Sequence, residues 1–369
     1  MPLSISDQDD LRSATRDVLE ALCTSEKVRA RTESPGKFDA ELWKRGVDLG
    51  WNALAVPEQY DGLGLSVAEA CIVAEEFGRV GQASPLPATL GVAFVVSEFG
   101  SERVKTQWLP RVAAGAALSW ASGRGTARPS SSLTLRESED GFVLDGAIEW
   151  LPDGPTAAGF LVPARLGTRD VAVMLDATDP GVDVGPMQSL DIGRLHGRLS
   201  CTGVAIGAPA VLHEGAAEAL FDVAVALQCA ETVGLSNALL SMTIAYVQSR
   251  VQFGRPIGSF QALKHRIADM LVLCEAARAT TSEAAALLAD SIGGASEAVS
   301  VAKSTTGRAG NCVASEALQL HGGIGFTWEH DLHIFLRRAK VNELLLGTPE
   351  WHDDRLTAFV LARIGSEAS

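Results

Sequence analysis

Between Pro209 and Pro349 the chain carries a single proline, Pro256, within long Ala- and Leu-rich segments. Proline removes an amide donor and clashes with the preceding turn, so a stretch so free of it reads as long helices interrupted once. The interruption follows Phe253-Gly254-Arg255, where a turn is expected to separate one helix from the next. From about Leu118 to Leu212 the texture differs. Gly, Pro, Ser and Thr are dense, and Gly141-Phe-Val-Leu, Gly159-Phe-Leu-Val and Val171-Ala-Val-Met lie between turn signals, the pattern of short strands. From Ser6 to about Gly115, Val67, Ala70, Cys71, Ala74 and Phe77 recur at helical spacing, with Pro57, Pro85, Pro87 and Pro110 at breaks. The order helices, strands, helices predicts an α+β multidomain fold. It comprises an N-terminal helical bundle over 1–117, a sandwich- or barrel-like middle β domain over 118–212, and a C-terminal four-helix-type bundle over 213–369.

Composition narrows the functions. With 369 residues there is ample material for a core, and Lys plus Arg at 31 against Asp plus Glu at 45 gives 31 − 45 = −14 with no basic cluster, which excludes a phosphate-backbone footprint and hence nucleic acid. The first ten residues have no basic region followed by an apolar run, and apolar runs such as Thr89 to Val96 and Ala216 to Leu227 stop short of the roughly 20 residues of a membrane span. Cys23, Cys71, Cys201, Cys229, Cys274 and Cys312 show neither Cys-x-x-Cys pairing nor metal-ligand spacing. The expectation is a reducing, cytoplasmic compartment, no structural metal and no membrane contact.

Two stretches carry a resemblance. Arg250-Val-Gln-Phe-Gly-Arg-Pro-Ile-Gly-Ser-Phe-Gln and Ala317-Leu-Gln-Leu-His-Gly-Gly-Ile-Gly-Phe-Thr-Trp-Glu-His are similar to motifs of the acyl-CoA dehydrogenase family. Gly50-Trp-Asn-Ala-Leu-Ala-Val-Pro, Glu75-Glu-Phe-Gly-Arg, Gly146-Ala-Ile-Glu-Trp-Leu-Pro-Asp-Gly and Ser189-Leu-Asp-Ile-Gly-Arg extend the likeness over the whole chain. The resemblance implies an FAD flavoenzyme that removes a hydride from the β carbon of an acyl-CoA thioester while a carboxylate takes the α proton. It also implies electron-transferring flavoprotein as acceptor, and dimers or tetramers in which some residues of each FAD site come from a neighbouring subunit.

Three tasks can be sought separately. For the FAD pyrophosphate and adenine, the resemblance assigns Arg250, Gln252 and Phe253 as residues reaching across a subunit interface, with Gln261, Gln319, Gly322 and Gly323 beside the same dinucleotide. Arginine suits phosphate because it offers several donors and stays charged, and glycine admits close backbone approach. For the flavin ring, Trp150 matches a packing tryptophan, yet the hydrogen-bonding threonine is replaced by Pro152, and the flavin-facing loop reads Ser119-Trp-Ala-Ser-Gly-Arg-Gly-Thr-Ala-Arg-Pro-Ser, almost without the family pattern. For the base, the two positions used by the family fall on Leu346 and Ala224, and neither residue can take a proton. Glu231, two turns along from Ala224, reads as a structural or interface carboxylate with a relocated base as alternative, and Glu350 as a surface charge after Pro349 with the same alternative.

The asymmetry implies a subunit of a hetero-oligomer, similar to those acting on bulky acyl thioesters, that supplies the trans half of an FAD site to a catalytic acyl-CoA dehydrogenase partner. Two alternatives stand beside it. One is a homo-oligomeric flavoenzyme with a relocated base or a hydroxylase-like reaction, and the other is a non-catalytic scaffold.

Overall fold

The computed structural model describes residues 3–33, 38–121, 133–292 and 294–367. Helices α1 (Ile5–Leu22), α2 (Ser25–Glu33), α3 (Ala40–Asp48), α4 (Val67–Val80), α5 (Leu86–Phe99) and α6 (Glu102–Ala113) come first. Strands β1 (Leu118–Trp120), β2 (Leu133–Ser138), β3 (Gly141–Pro152), β4 (Gly159–Leu166), β5 (Arg169–Asp176), β6 (Val182–Met187) and β7 (His196–Ile206) follow. The C-terminal region holds α7 (Ala216–Ser249), a hairpin of β8 (Val251–Gln252) and β9 (Arg255–Pro256), then α8 (Gln261–Asp290), α9 (Ser296–His321), α10 (Leu332–Leu344) and α11 (Pro349–Glu367). The helical, strand and helical order expected from the sequence is the one observed.

Local signals set the ends of α4. Ser66 and Glu69 form a capping box, the Ser66 amide donating to Glu69 Oε2 at 2.9 Å, and Gly81 closes the helix with φ 66°. Such caps satisfy amides and carbonyls that the first and last turns leave free. The sheet runs β1-β4-β2-β3-β7-β6, with β5 also paired to β4. Leu133, Leu135, Leu144, Ile148, Phe160 and Leu199 form its own core. Between Glu149 and Leu151 the β3–β7 register shifts, and the residue at the bulge is Trp150, held at φ 65°.

Helix α7 is the axis of the C-terminal region. It contains an 18-residue window of mean hydropathy 1.4 that is 94% buried, so a helix long and apolar enough to cross a membrane is here a core helix. The apolar run at Ala216 to Leu227 therefore continues further than sequence runs suggested, because isolated polar residues on a helix do not interrupt its buried surface. α7 crosses α4 at backbone contact: a Cβ on Gly78 would lie 2.0 Å from the Glu231 carbonyl oxygen, and one on Gly234 would lie 1.8 Å from that of Glu75. All three regions of the chain meet at Arg338, which donates to Asp191 Oδ2 at 2.8 Å and to the Gly81 carbonyl at 3.1 Å.

Candidate functional site

The residues singled out by sequence fall in two regions. The first is the hairpin after α7. The Arg250 amide donates to the Tyr246 carbonyl at 2.8 Å, and the Ile257 amide returns to the Arg250 carbonyl at 2.8 Å, which closes the loop around β8 and β9. The Arg255 guanidinium lies 4.1 Å from the Phe260 ring centroid at the base, while Phe253 at the tip has φ 54° and is 90% exposed. The Tyr246 ring stacks on His321 at 4.6 Å, which ties the end of α7 to the end of α9 and so sets the hairpin beside Gly322. A Cβ on Gly322 or Gly323 would meet nothing within 4 Å, so both backbones face open space. Arg250, Gln252, Gln261 and Gln319 are all exposed. A guanidinium, amide side chains and bare glycine backbone are thus all presented at the surface. Exposed Val251, Ile324, Phe326 and Trp328 add apolar surface around it.

The second region is a cavity of 60 Å³ bordered by both family base positions, Ala224 and Leu346. Pro152, Asp153, Arg194 and Glu231 border it too. Leu346 is buried with φ 63°, so this position keeps a left-handed backbone with a side chain that cannot accept a proton. Among the described residues, Trp150, Asp153, Phe253 and Leu346 are four of the five non-glycine residues at positive φ, and all four lie in or beside these two regions. Such backbone strain gathers where surrounding structure over-determines a site.

Glu231 is not a free base. Its carboxylate takes a hydrogen bond from Arg194 at 2.6 Å and one from Asn342 at 3.1 Å, and Arg338 stands 3.6 Å away. Burial acts to raise its pKa, but Arg194 and Arg338 outweigh burial and hold it below the ordinary range. Asp191 follows the same balance: burial is outweighed by Arg338 and Arg194, which keep it at about 2. Asp153 goes the other way. Burial pushes its carboxyl up to about 7, although Arg194 and Arg338 oppose it. Glu350 lies outside this region: it is exposed on α11 and pairs with Arg308 at 3.5 Å. The charges that fill the site were only partly legible. Asp191, Arg194 and Asp153 stood inside recognisable motifs, whereas Arg338 and Lys303 carry no local signal, because their burial depends on contacts far along the chain.

Among the described residues, the flavin-facing side offers little. Pro152 has no amide hydrogen, and its carbonyl accepts from Ser119 Oγ at 2.6 Å. The Trp150 ring lies 5.5 Å from that of His196, edge to face. From residue 122 to 130 the flavin-facing loop singled out by sequence lies outside the described residues.

Comparison with known proteins identifies the family. Residues 6–116 match the family description "Acyl-CoA dehydrogenase, N-terminal domain", and residues 214–361 match "Acyl-CoA dehydrogenase, C-terminal domain". The chain is 33% identical over 351 residues to the acyl-CoA dehydrogenase IpdE2 of Mycolicibacterium smegmatis, covering 95% of this chain and 97% of that protein. Among solved structures it is similar to a chain of the ChsE4-ChsE5 complex from Mycobacterium tuberculosis, with TM-score 0.91 and 28% identity over 97% of this chain and 98% of the other. It is equally similar to a chain of a Tcur3481-Tcur3483 steroid ACAD variant, with TM-score 0.91 and 27% identity over 98% of this chain and 99% of the other. With both terminal domains matched and a relative of this identity along nearly the whole length, the chain belongs to the acyl-CoA dehydrogenase family of FAD-dependent oxidoreductases.

Proposed function

We propose that this chain is one half of a two-subunit acyl-CoA dehydrogenase and supplies the trans portion of the FAD site to a catalytic partner. The observation that carries the reading is a contrast within one molecule. The hairpin region presents donors in Arg250, Gln252 and Gln319, while the cavity at the base positions measures 60 Å³ and has Leu346 and Ala224 where a base is needed. Pockets for drug-sized ligands run to about 300–1,000 Å³, so this cavity is small by comparison. Two similar structures are of paired subunits, one of them a steroid ACAD, which supports a bulky acyl-CoA thioester as substrate of the pair.

When bound, FAD accepts the hydride that leaves the acyl β carbon. In this reading Arg250 binds pyrophosphate oxygens, Gln252 and Gln319 donate to the dinucleotide, Gly322 and Gly323 let backbone approach it, Phe253 covers it from water, and Gln261 supports the hairpin from α8. Trp150, against His196, serves as packing of the β domain. The proton acceptor for the α carbon belongs to the partner. Electron-transferring flavoprotein is the acceptor this reading implies.

The test compares the chain purified alone with the chain co-expressed with an acyl-CoA dehydrogenase subunit that keeps its glutamate. Alone it should carry little flavin and turn over no acyl-CoA, and the pair should be yellow. In the pair, Arg250→Ala should weaken FAD retention by about tenfold or more, since a charge-assisted hydrogen bond contributes about 1.5–3 kcal/mol. A full flavin complement with turnover by the chain alone overturns the reading.

A further inference from the structure

His321, the last residue of α9, is 2% exposed, and its two ring nitrogens are unequally served. Nδ1 lies 2.7 Å from the Ala317 carbonyl oxygen, and because a carbonyl only accepts, Nδ1 carries the ring proton. Nε2 is therefore a lone pair, buried and without a hydrogen-bond partner. The ring stacks on Tyr246 in the last turn of α7 at 4.6 Å, and the His330 ring meets it edge to face at 4.8 Å.

A neutral ring fits this place and a charged one does not. A proton on Nε2 would bury an N–H with no acceptor opposite it. His330 cannot serve, since its Nδ1 already accepts from the Leu332 amide at 3.2 Å and its own proton then sits on Nε2, a second donor. The surrounding elements bring no free carboxylate either. Asp331 is engaged by Ser25 and Arg29, and Glu316 of α9 by Arg266 of α8 at 2.6 Å. On α10, His333 donates from Nδ1 to the His330 carbonyl and Arg337 lies over Trp328, while the hairpin and the start of α8 carry the cations Arg250, Arg255 and Lys264. Burial above all, with His330, holds the His321 pKa below its ordinary 6.5, although the Ala317 carbonyl favours the proton.

We propose that His321 is a proton-controlled latch: neutral, it holds Tyr246 and the hairpin from Arg250 to Pro256 against the end of α9, and on protonation it leaves the stack and frees the hairpin. Above pH 6.5 the ring is neutral whether stacked or released, so the latch is closed. Below 6.5 the released ring takes a proton that the stacked ring does not, and opening is favoured by up to about tenfold for each pH unit. A stacked imidazolium would keep some attraction to the Tyr246 ring, yet its N–H would stay buried and unbonded. Gly322, which follows at φ 62°, is where the backbone can turn to let the ring out. Only the consequence for FAD rests on the half-site reading: with Arg250, Gln252 and Phe253 on the hairpin, acid should quicken FAD loss.

The test labels the full chain with 3-fluorotyrosine and follows its fluorine lines from about pH 7.5 to about pH 5. The chain has two tyrosines, and Tyr60, bonded to Glu102 on α6, is the internal control for Tyr246. The Tyr246 line should shift or broaden as pH falls below 6.5 while the Tyr60 line holds. His321→Phe keeps a ring against Tyr246 without a titratable nitrogen and should flatten that response. His330→Phe should keep the response with its midpoint at higher pH, since it removes a neighbour that disfavours the proton. A Tyr246 line that is flat in the unmodified chain, or that moves alike in His321→Phe, overturns the proposal. In the co-expressed pair, FAD dissociation should quicken by about tenfold between about pH 7.5 and 5.5 and stay level in His321→Phe. A moving Tyr246 line with level FAD dissociation would leave the latch standing and overturn the half-site reading instead.

Discussion

Arg194 stands between two buried carboxylates, bonded to Glu231 at 2.6 Å and 3.9 Å from Asp191. Removing one partner of a buried ion pair leaves an uncompensated charge, which typically costs about 3–5 kcal/mol, more than the pair contributed when intact. Arg194→Met is therefore expected to lower unfolding free energy by about that amount in urea titrations, and Glu231→Gln, which keeps an acceptor, by less. Asp153 makes the opposite prediction for pH. Its folded pKa of about 7 lies above its ordinary 3.8, so the fold binds a proton that the unfolded chain releases. The stability this lends is complete below the unfolded value and disappears as pH rises towards 7, up to about 4 kcal/mol. Arg194, Arg338, Asp191 and Glu231 are the charged groups that act on it from the surrounding elements. Thermal melts of Asp153→Asn should thus decline less between pH 5 and 8 than those of the unmodified chain, and parallel curves would refute the assignment.

At the scale of elements, the closest approach is that of α4 to α7. Gly78 and Gly234 are each needed because the other helix's backbone occupies the space of a side chain. Gly234→Ala should cost at least the 1–3 kcal/mol typical of overpacking, measured by calorimetry, while Gly185→Ala, where a Cβ meets nothing within 4 Å, should be close to neutral. These glycines also show what a sequence can and cannot reveal. Helix and strand identities were legible, because periodicity and turn residues act over a few positions: Val67 to Phe77 lies within α4, and the three apolar pieces lie in β3, β4 and β5. The hairpin at Pro256 was legible as a break. The crossing at Gly78 and Gly234 was not, since it pairs positions with no local mark. Nor was Asp153 visible as a cavity acid, for its environment comes from α7, α10 and the β6–β7 loop together.

At the scale of the whole molecule, three exposed aromatic residues lie just beyond the ends of α7 and α9. Phe253, Phe326 and Trp328 are 90%, 75% and 65% exposed, and aromatic side chains are the usual anchors of protein interfaces. If this end receives a partner subunit, Phe253→Ser should raise the dissociation constant of the pair by about tenfold or more while leaving the isolated chain's melting temperature unchanged, as read by sedimentation and calorimetry. An unaltered constant would place the interface elsewhere.

Arg338 joins Gly81 across 257 residues and Asp191 across 147, and it does so from the second-last helix. A chain that emerges from the ribosome N-terminus first must therefore carry Asp191 and Glu231 through most of its synthesis before this cation exists to meet them. The helices at the start and the sheet behind them are able to form early, but the seam between them stays hydrated until α10 arrives, so sealing of the interior is a late event. The hairpin at Arg250 is complete in sequence well before that moment.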